Sequence, residues 1–172
     1  MSYDQIVCLA LSEKDIDLLT RLLAELILAD GNVSPLELDL FKCFVRLPLG
    51  DEPEMTLRSF TALTDVEISN GAEQPEALYL YCAVLACGDR HLDAEELALL
   101  RRYGKALTID LERCQALETM ARNYVLDQAA QFMWKIPGQP YDKANYLTVI
   151  ARRLGATEEE IDEAWANQGA TE

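Results

Sequence analysis

Residues 29–37 read Ala-Asp-Gly-Asn-Val-Ser-Pro-Leu-Glu and stand between two segments whose apolar residues recur at helical spacing. Gly31 predicts the end of the first helix, because glycine tolerates the positive φ that a helix C-terminus often requires. Ser34-Pro35-Leu36-Glu37 predicts the start of the next helix, since it combines a capping box with proline at the first helical position. The stretch therefore predicts a helix-loop-helix unit with acidic residues at the junction.

The same pattern returns in altered form at residues 88–96. Both copies fit Asp-x-x-[Val/Leu]-[Ser/Asp]-x-x-Glu, with an Asp where the first helix ends and a Glu near the start of the second. The equivalent pairs are Asp30 and Asp89, Val33 and Leu92, Ser34 and Asp93, and Glu37 and Glu96. The repetition predicts two equivalent helix-loop-helix units within one fold.

Turn and capping signals divide the rest of the chain into further helices. We expect a third helix from the acidic start at residues 51–54 to about Ile68. Residues 110–134 predict one long helix, and residues 157–160, Thr-Glu-Glu-Glu, predict the cap of the last one. No segment shows the sustained alternation of a strand. The sequence predicts an all-α fold, a single compact bundle of about seven or eight helices with residues 1–172 as one domain.

The chain is strongly acidic, with a formal net charge of -15 at pH 7. Acidic side chains dominate residues 1–100 and 154–172, whereas basic side chains outnumber them in residues 101–153. The acidic first half argues against nucleic acid as a ligand, since phosphates require clustered Lys and Arg. It favours cations or basic partners, or serves solubility alone. The pairs Arg101-Arg102 and Arg152-Arg153 indicate either solvated helix faces or contacts with an acidic partner or anionic lipid.

The lengths of the apolar runs and the placing of the cysteines indicate where in the cell the protein resides. No apolar run reaches the roughly 18 residues that a membrane helix needs, and the first dozen residues lack the basic start and long apolar core of a secretory signal. The five cysteines are Cys8, Cys43, Cys82, Cys87 and Cys114, and no two form a CxxC pair. We expect buried thiols in a reducing compartment, and hence a cytoplasmic protein without a transmembrane segment.

The paired junctions and the helix order around them resemble the TerB-like family of helical domains, named for bacterial tellurite resistance. The resemblance rests on residues 29–37 and 89–96 and extends loosely over residues 14–134. It implies a helical bundle with internal duplication and an acidic surface that binds metal. It also implies a role in tellurite or general stress resistance, alongside protein partners near the inner membrane. Arg90 departs from the pattern, because the first copy has glycine at that place.

The four junction carboxylates allow two interpretations. They are Asp30, Glu37, Asp89 and Glu96. If the two units pack around a pseudo-twofold axis, the four come together and supply the oxygen ligands that a hard divalent cation prefers. Alternatively, each Asp accepts N–H groups of its own loop and each Glu completes a capping box, and capping alone justifies these residues at about 1 kcal/mol per cap. We place the predicted metal site at these four residues, with the ion unspecified.

No motif in the sequence predicts catalysis. His91 stands four residues after Cys87, but no further His or paired Cys completes a metal or hydrolytic site. The first junction is not a calcium-binding EF-hand, since Pro35 replaces the required glycine and Phe41 the bidentate Glu. We therefore expect a non-enzymatic domain. The alternative function is an acidic protein-interaction module, of immunity or inhibitor type, that covers a basic partner surface.

Overall fold

The computed structural model describes residues 11–29, 31, 33, 35–44, 61–88, 92, 94–135 and 143–169. These described residues form eight helices and no strand, which confirms the predicted all-α fold. The helices are α1 (Glu13–Ile27), α2 (Pro35–Phe44), α3 (Asp65–Gly71), α4 (Pro75–Ala86), α5 (Ala94–Ala106), α6 (Leu111–Lys135), α7 (Lys143–Arg153) and α8 (Glu158–Gly169). Within this part of the chain, no helix combines the length and apolar character needed to cross a membrane. The single-domain boundary stays a prediction.

Helix α4 lies at the centre of the larger hydrophobic core. Every residue from Ala77 to Ala86 is buried, and the helix contacts α1, α2, α5 and α6. Spacing alone predicts one apolar face, running through Leu78 and Cys82. The structure encloses the helix on all sides instead, because its remaining residues are also apolar or aromatic.

The predicted third helix is wrong over residues 61–64, which are not helical. Helix α3 begins only at Asp65, and residues 51–60 lie outside the described residues. A capping box sets this start: Thr64 N–H donates to Glu67 Oε2 at 2.8 Å, and Glu67 N–H donates to Thr64 Oγ1 at 3.3 Å. Hydrogen bonds from Thr64, aided by the nearby Arg21 guanidinium, lower the pKa of Glu67 to about 2.

A second, smaller core joins the C-terminal half of α6 to α7 and α8. Its buried residues are Cys87, Val125, Leu126, Ala129, Ala130, Leu147, Ile150, Ala151, Leu154 and Ile161. The long predicted helix over residues 110–134 is confirmed as α6. The predicted cap of the last helix is also confirmed, since Thr157 N–H donates to Glu160 Oε2 at 2.6 Å and Glu160 N–H donates to Thr157 Oγ1 at 3.2 Å.

Candidate functional site: the paired helix junctions

Helices α1 and α4 begin side by side. Asp15, in the first turn of α1, is fully buried, and its Oδ1 accepts the N–H groups of Glu73 at 2.8 Å and Gln74 at 3.3 Å. Gln74 is the N-cap of α4 but makes no side-chain cap of its own. Asp15 therefore caps α4 from the neighbouring helix, because the backbone donors at a helix start need an acceptor.

The two helices also end side by side, at equivalent positions of the repeat. Asp15 and Gln74 are 59 residues apart, and so are the last helical residues, Ile27 and Ala86. Near this end the pKa of the Cys82 thiol is raised by burial and by the charge of Glu25, which lies close to it. Since α1 and α4 run parallel and in register, their two C-termini lie at the same end of the bundle.

The two junctions leave their helices in the same conformation. The C-caps Leu28 (φ -87°, ψ -2°) and Cys87 (φ -81°, ψ -8°) nearly coincide in backbone geometry. The next residue in each copy bonds alike, Ala29 N–H to Leu26 O at 3.1 Å and Gly88 N–H to Leu85 O at 2.8 Å. The predicted duplication of a helix-loop-helix unit thus has a structural counterpart.

The second helix of each unit begins where the capping signals predicted. Helix α2 starts at Pro35 and α5 at Ala94, again with the 59-residue spacing of the repeat. Gly31 has a φ of +77°, so the predicted positive φ is confirmed. Its counterpart Arg90 lies outside the described residues, as do the capping residues Ser34 and Asp93.

The described residues include only part of the predicted metal site. Glu96 lies in the first turn of α5 with 6% of its surface exposed, and it interacts with other groups of the protein. Glu37 lies in the first turn of α2, but its side chain is outside the described part, as are Asp30 and Asp89. Among the described residues, no three His, Cys, Asp or Glu side chains form a group that could hold a metal ion. Convergence of the four carboxylates stays a prediction.

Charge at the junction end comes from both helix ends and side chains. Neither α1 nor α4 has a basic residue in its last turn. Each helix directs the negative end of its dipole to its C-terminus, whereas α2 and α5, which begin in the same junctions, present the positive ends of theirs. The charge of this end therefore depends on the junction side chains, of which Asp30, Asp89 and Arg90 lie outside the described residues.

The cysteines behave as predicted where they are described. Cys82, Cys87 and Cys114 are buried free thiols, and burial is the main cause that raises the pKa of Cys114. Cys8, the side chain of Cys43 and the candidate His91 lie outside the described part. A raised pKa keeps a thiol protonated and therefore poorly nucleophilic.

Sequence reasoning missed the polar side chains that hold the repeat together. Arg102 donates to Glu25 Oε1 and Asp65 Oδ1, both at 2.8 Å, and also to the carbonyl of Leu63. Tyr103 donates to Glu25 Oε2 at 3.0 Å. Arg102 is therefore tied to acidic groups of its own chain while its side chain stays 31% exposed, so a solvated face describes only part of its role. The partners lie 37 to 78 residues apart in sequence, so no local pattern reveals them.

The architecture defines an all-α protein built on a duplicated helix-loop-helix unit. Comparison with models of protein families, with curated proteins and with solved structures finds no match to this chain.

Proposed function

We propose that this protein is a non-enzymatic TerB-like domain that binds a divalent cation at the end of the bundle where its two acidic junctions lie. The role implied by the resemblance is tellurite or general stress resistance. The observation that carries the proposal is the parallel, in-register pairing of α1 and α4. It puts both junctions at one end, as a shared site requires.

The chemistry of that end fits a hard cation. Each junction contributes an Asp beyond the C-terminus of one helix and a Glu in the first turn of the next. Divalent ions such as Mg²⁺ and Ca²⁺ prefer several oxygen ligands, and binding relieves repulsion among clustered carboxylates. The last turns of α1 and α4 carry no basic residue, so no cation of these turns competes for the carboxylates.

Isothermal titration calorimetry with Mg²⁺, Ca²⁺, Mn²⁺ and Zn²⁺ tests the proposal. The double variant Asp30→Asn, Asp89→Asn is expected to lose binding while the helical circular dichroism signal survives. The matched control is Glu112→Gln with Asp162→Asn, which removes the same charge from exposed positions on α6 and α8. Wild-type protein that binds none of the four ions, or a control that loses binding equally, would overturn the proposal.

A protein partner is a second candidate, favoured by exposed apolar residues at the first junction. Leu28 is 38% exposed and Val33 is 39% exposed, although both are large and hydrophobic. Apolar side chains beside acidic ones suit a basic partner surface with a hydrophobic centre. Recovery of one basic protein from native cells in the presence of a chelator, and its loss with Leu28→Ser and Val33→Ser, supports this function. A partner retained by those variants would contradict it.

A further inference from the structure

We propose that the cavity between α5 and α6 binds a small organic molecule that has one carboxylate and an apolar body. The site contains none of the four junction acids and does not depend on the cation. Its volume is about 290 Å³. Ligand pockets typically begin at about 300 Å³, so the occupant is a small metabolite-sized molecule.

One wall of the cavity is apolar. Leu97 of α5, Ile109 of the connecting turn and Leu111 of α6 line it. Leu111 is 71% exposed, the largest exposed fraction among the exposed large hydrophobic side chains of the described residues. Covering this wall with an apolar ligand removes it from water, which is favourable in proportion to the area buried.

Two cations line the same cavity. Arg101 and Lys105 both line the cavity, and both are exposed and one helical turn apart on α5. Neither forms an ion pair with the described residues, although the chain carries a net charge of -15. Like charges four residues apart on a helix destabilise it slightly. A bound anion relieves that repulsion.

Glu118 offsets one of the two positive charges of the cavity, so the site suits a ligand with a single negative charge. It lines the same cavity, and its Oε1 accepts the hydroxyl of Tyr79 at 2.6 Å. Burial is the largest cause that raises the pKa of Tyr79, so this hydroxyl stays a neutral donor. With Glu118 ionised, the lining carries one net positive charge, which suits a monoanionic carboxylate better than a doubly charged phosphate.

The back of the cavity depends on a glycine. A Cβ at Gly104 would lie 2.6 Å from Cys114 Sγ and 3.2 Å from Tyr79 Cε2, so α5 approaches its neighbours only because this side chain is absent. The turn that follows holds Thr108 at a φ of +60°, where a non-glycine residue is strained. Strain of this kind is often retained at ligand sites. The protonated Cys114 thiol makes this a binding site and not a covalent one.

Nuclear magnetic resonance titration of ¹⁵N-labelled protein tests the proposal with three probes of one chain length: hexanoate, hexanol and hexylammonium. Hexanoate is expected to shift the amide signals of the cavity residues with a dissociation constant of about 1 mM, typical of so small a ligand. Hexanol is expected to bind about tenfold more weakly, and hexylammonium more weakly still. A chelator in the buffer keeps any cation from contributing.

The double variant Arg101→Gln, Lys105→Gln is expected to weaken hexanoate binding about tenfold and to leave hexanol binding unchanged. Its matched control is Arg152→Gln with Arg153→Gln, an exposed basic pair on α7 away from the cavity. Both variants keep the fold in circular dichroism, because all four side chains are exposed. Equal binding of hexanoate and hexanol, no shift at the cavity residues, or equal losses in the two variants would overturn the proposal.

Discussion

The larger core and the smaller core differ in what fixes the orientation of their helices. In the larger core, buried polar groups join helices that are far apart in sequence. Asp15 of α1 binds the start of α4, and the single hydroxyl proton of Tyr103 on α5 is shared between Glu25 Oε2 at 3.0 Å and Leu22 O at 3.2 Å, both on α1. These bonds specify direction and register, because a shift of either helix leaves a buried group without a partner.

The smaller core relies on close apolar packing. Its alanines, Ala129, Ala130 and Ala151, let α6 and α7 approach closely. One ion pair, Arg122 Nη2 to Glu160 Oε1 at 3.2 Å, joins α6 to α8. In the same helix, Asn123 Oδ1 and Asp127 Oδ1 are buried without a hydrogen bond in the described structure. The polar contacts that fix helix direction and register are thus concentrated in the duplicated half of the molecule.

The largest expected effect comes from Asp15→Ala, which removes the buried acceptor shared by two N–H groups at the start of α4. We expect the free energy of unfolding to fall by about 3 kcal/mol, because two hydrogen bonds to a buried carboxylate are lost at the start of α4. Urea unfolding followed by circular dichroism measures it. Asp17→Ala, two residues further along α1, is the control and costs about 0.5 kcal/mol or less. Equal losses would show that the carboxylate of Asp15 does not specify the packing of α1 on α4.

The next effect concerns Arg102→Met, which breaks the links from α5 to α1 and α3. We expect a loss of about 2 kcal/mol, because Glu25, whose side chain is only 10% exposed, loses its cationic partner. Arg101→Met is the control, since that side chain is exposed on the same helix. The comparison uses the midpoints of thermal unfolding, and indistinguishable midpoints would refute a structural role for Arg102.

Local signals in the sequence predicted most helix boundaries. Pro35, Gly31 and the Thr157 capping box act through neighbouring backbone groups, so their effect is visible within a few residues. The same reasoning failed at Thr64, because an acidic start at residue 51 concealed a later capping box.

The roles of Asp15 and Arg102 were not predictable. Their partners are brought close only by the packing of whole helices, across 58 residues for Asp15 and Glu73. The cavity could not be predicted for the same reason, since Tyr79 and Glu118 are 39 residues apart. Only the basic excess of residues 101–153 and the Arg101-Arg102 pair gave any sign of its cations. The sequence was enough to single out the junction acids. The structure adds that the two helices preceding the junctions, α1 and α4, run parallel.

A smaller effect, of opposite sign, is expected in the smaller core from Asp127→Asn. Burial, with the charge of Glu163, raises the pKa of Asp127 above that of the unfolded chain. Ionisation therefore opposes folding, and wild-type stability falls as pH rises from the unfolded pKa of about 4 through the folded pKa. We expect the variant to be more stable at pH 7 by less than about 1 kcal/mol, since solvent screens the charge, and equal to wild type below about pH 4.

Urea unfolding at several pH values measures this difference. Asp162→Asn, an exposed acid on α8, is the control and is expected to show no such pH dependence. A stabilisation that persists at low pH would contradict the proposed cause.

The smallest effect compares two helix ends with the same hydrogen-bond pattern. After α5, Ile109 N–H donates to Gly104 O at 2.9 Å, and after α7, Ala156 N–H donates to Ala151 O at 2.8 Å. Gly155 adopts its φ of +67° freely, whereas Thr108 holds +60° at a cost. Thr108→Gly is expected to raise the free energy of unfolding by about 0.5 kcal/mol, after the larger entropy of the unfolded glycine chain is included. Gly155→Ala is the comparison variant and is expected to lose stability. Thermal unfolding measures the change in each variant. If Thr108→Gly also loses stability, the backbone at Thr108 is not strained.

The enclosure of α4 has a consequence for how the protein opens. Helices on the surface can fray or detach singly, and their amide protons then exchange with solvent at modest cost. The amides of α4 become accessible only when the helices around it have separated. Their exchange rate in deuterium oxide therefore reports the global unfolding equilibrium, and this one helix serves as an internal gauge of the stability of the larger core.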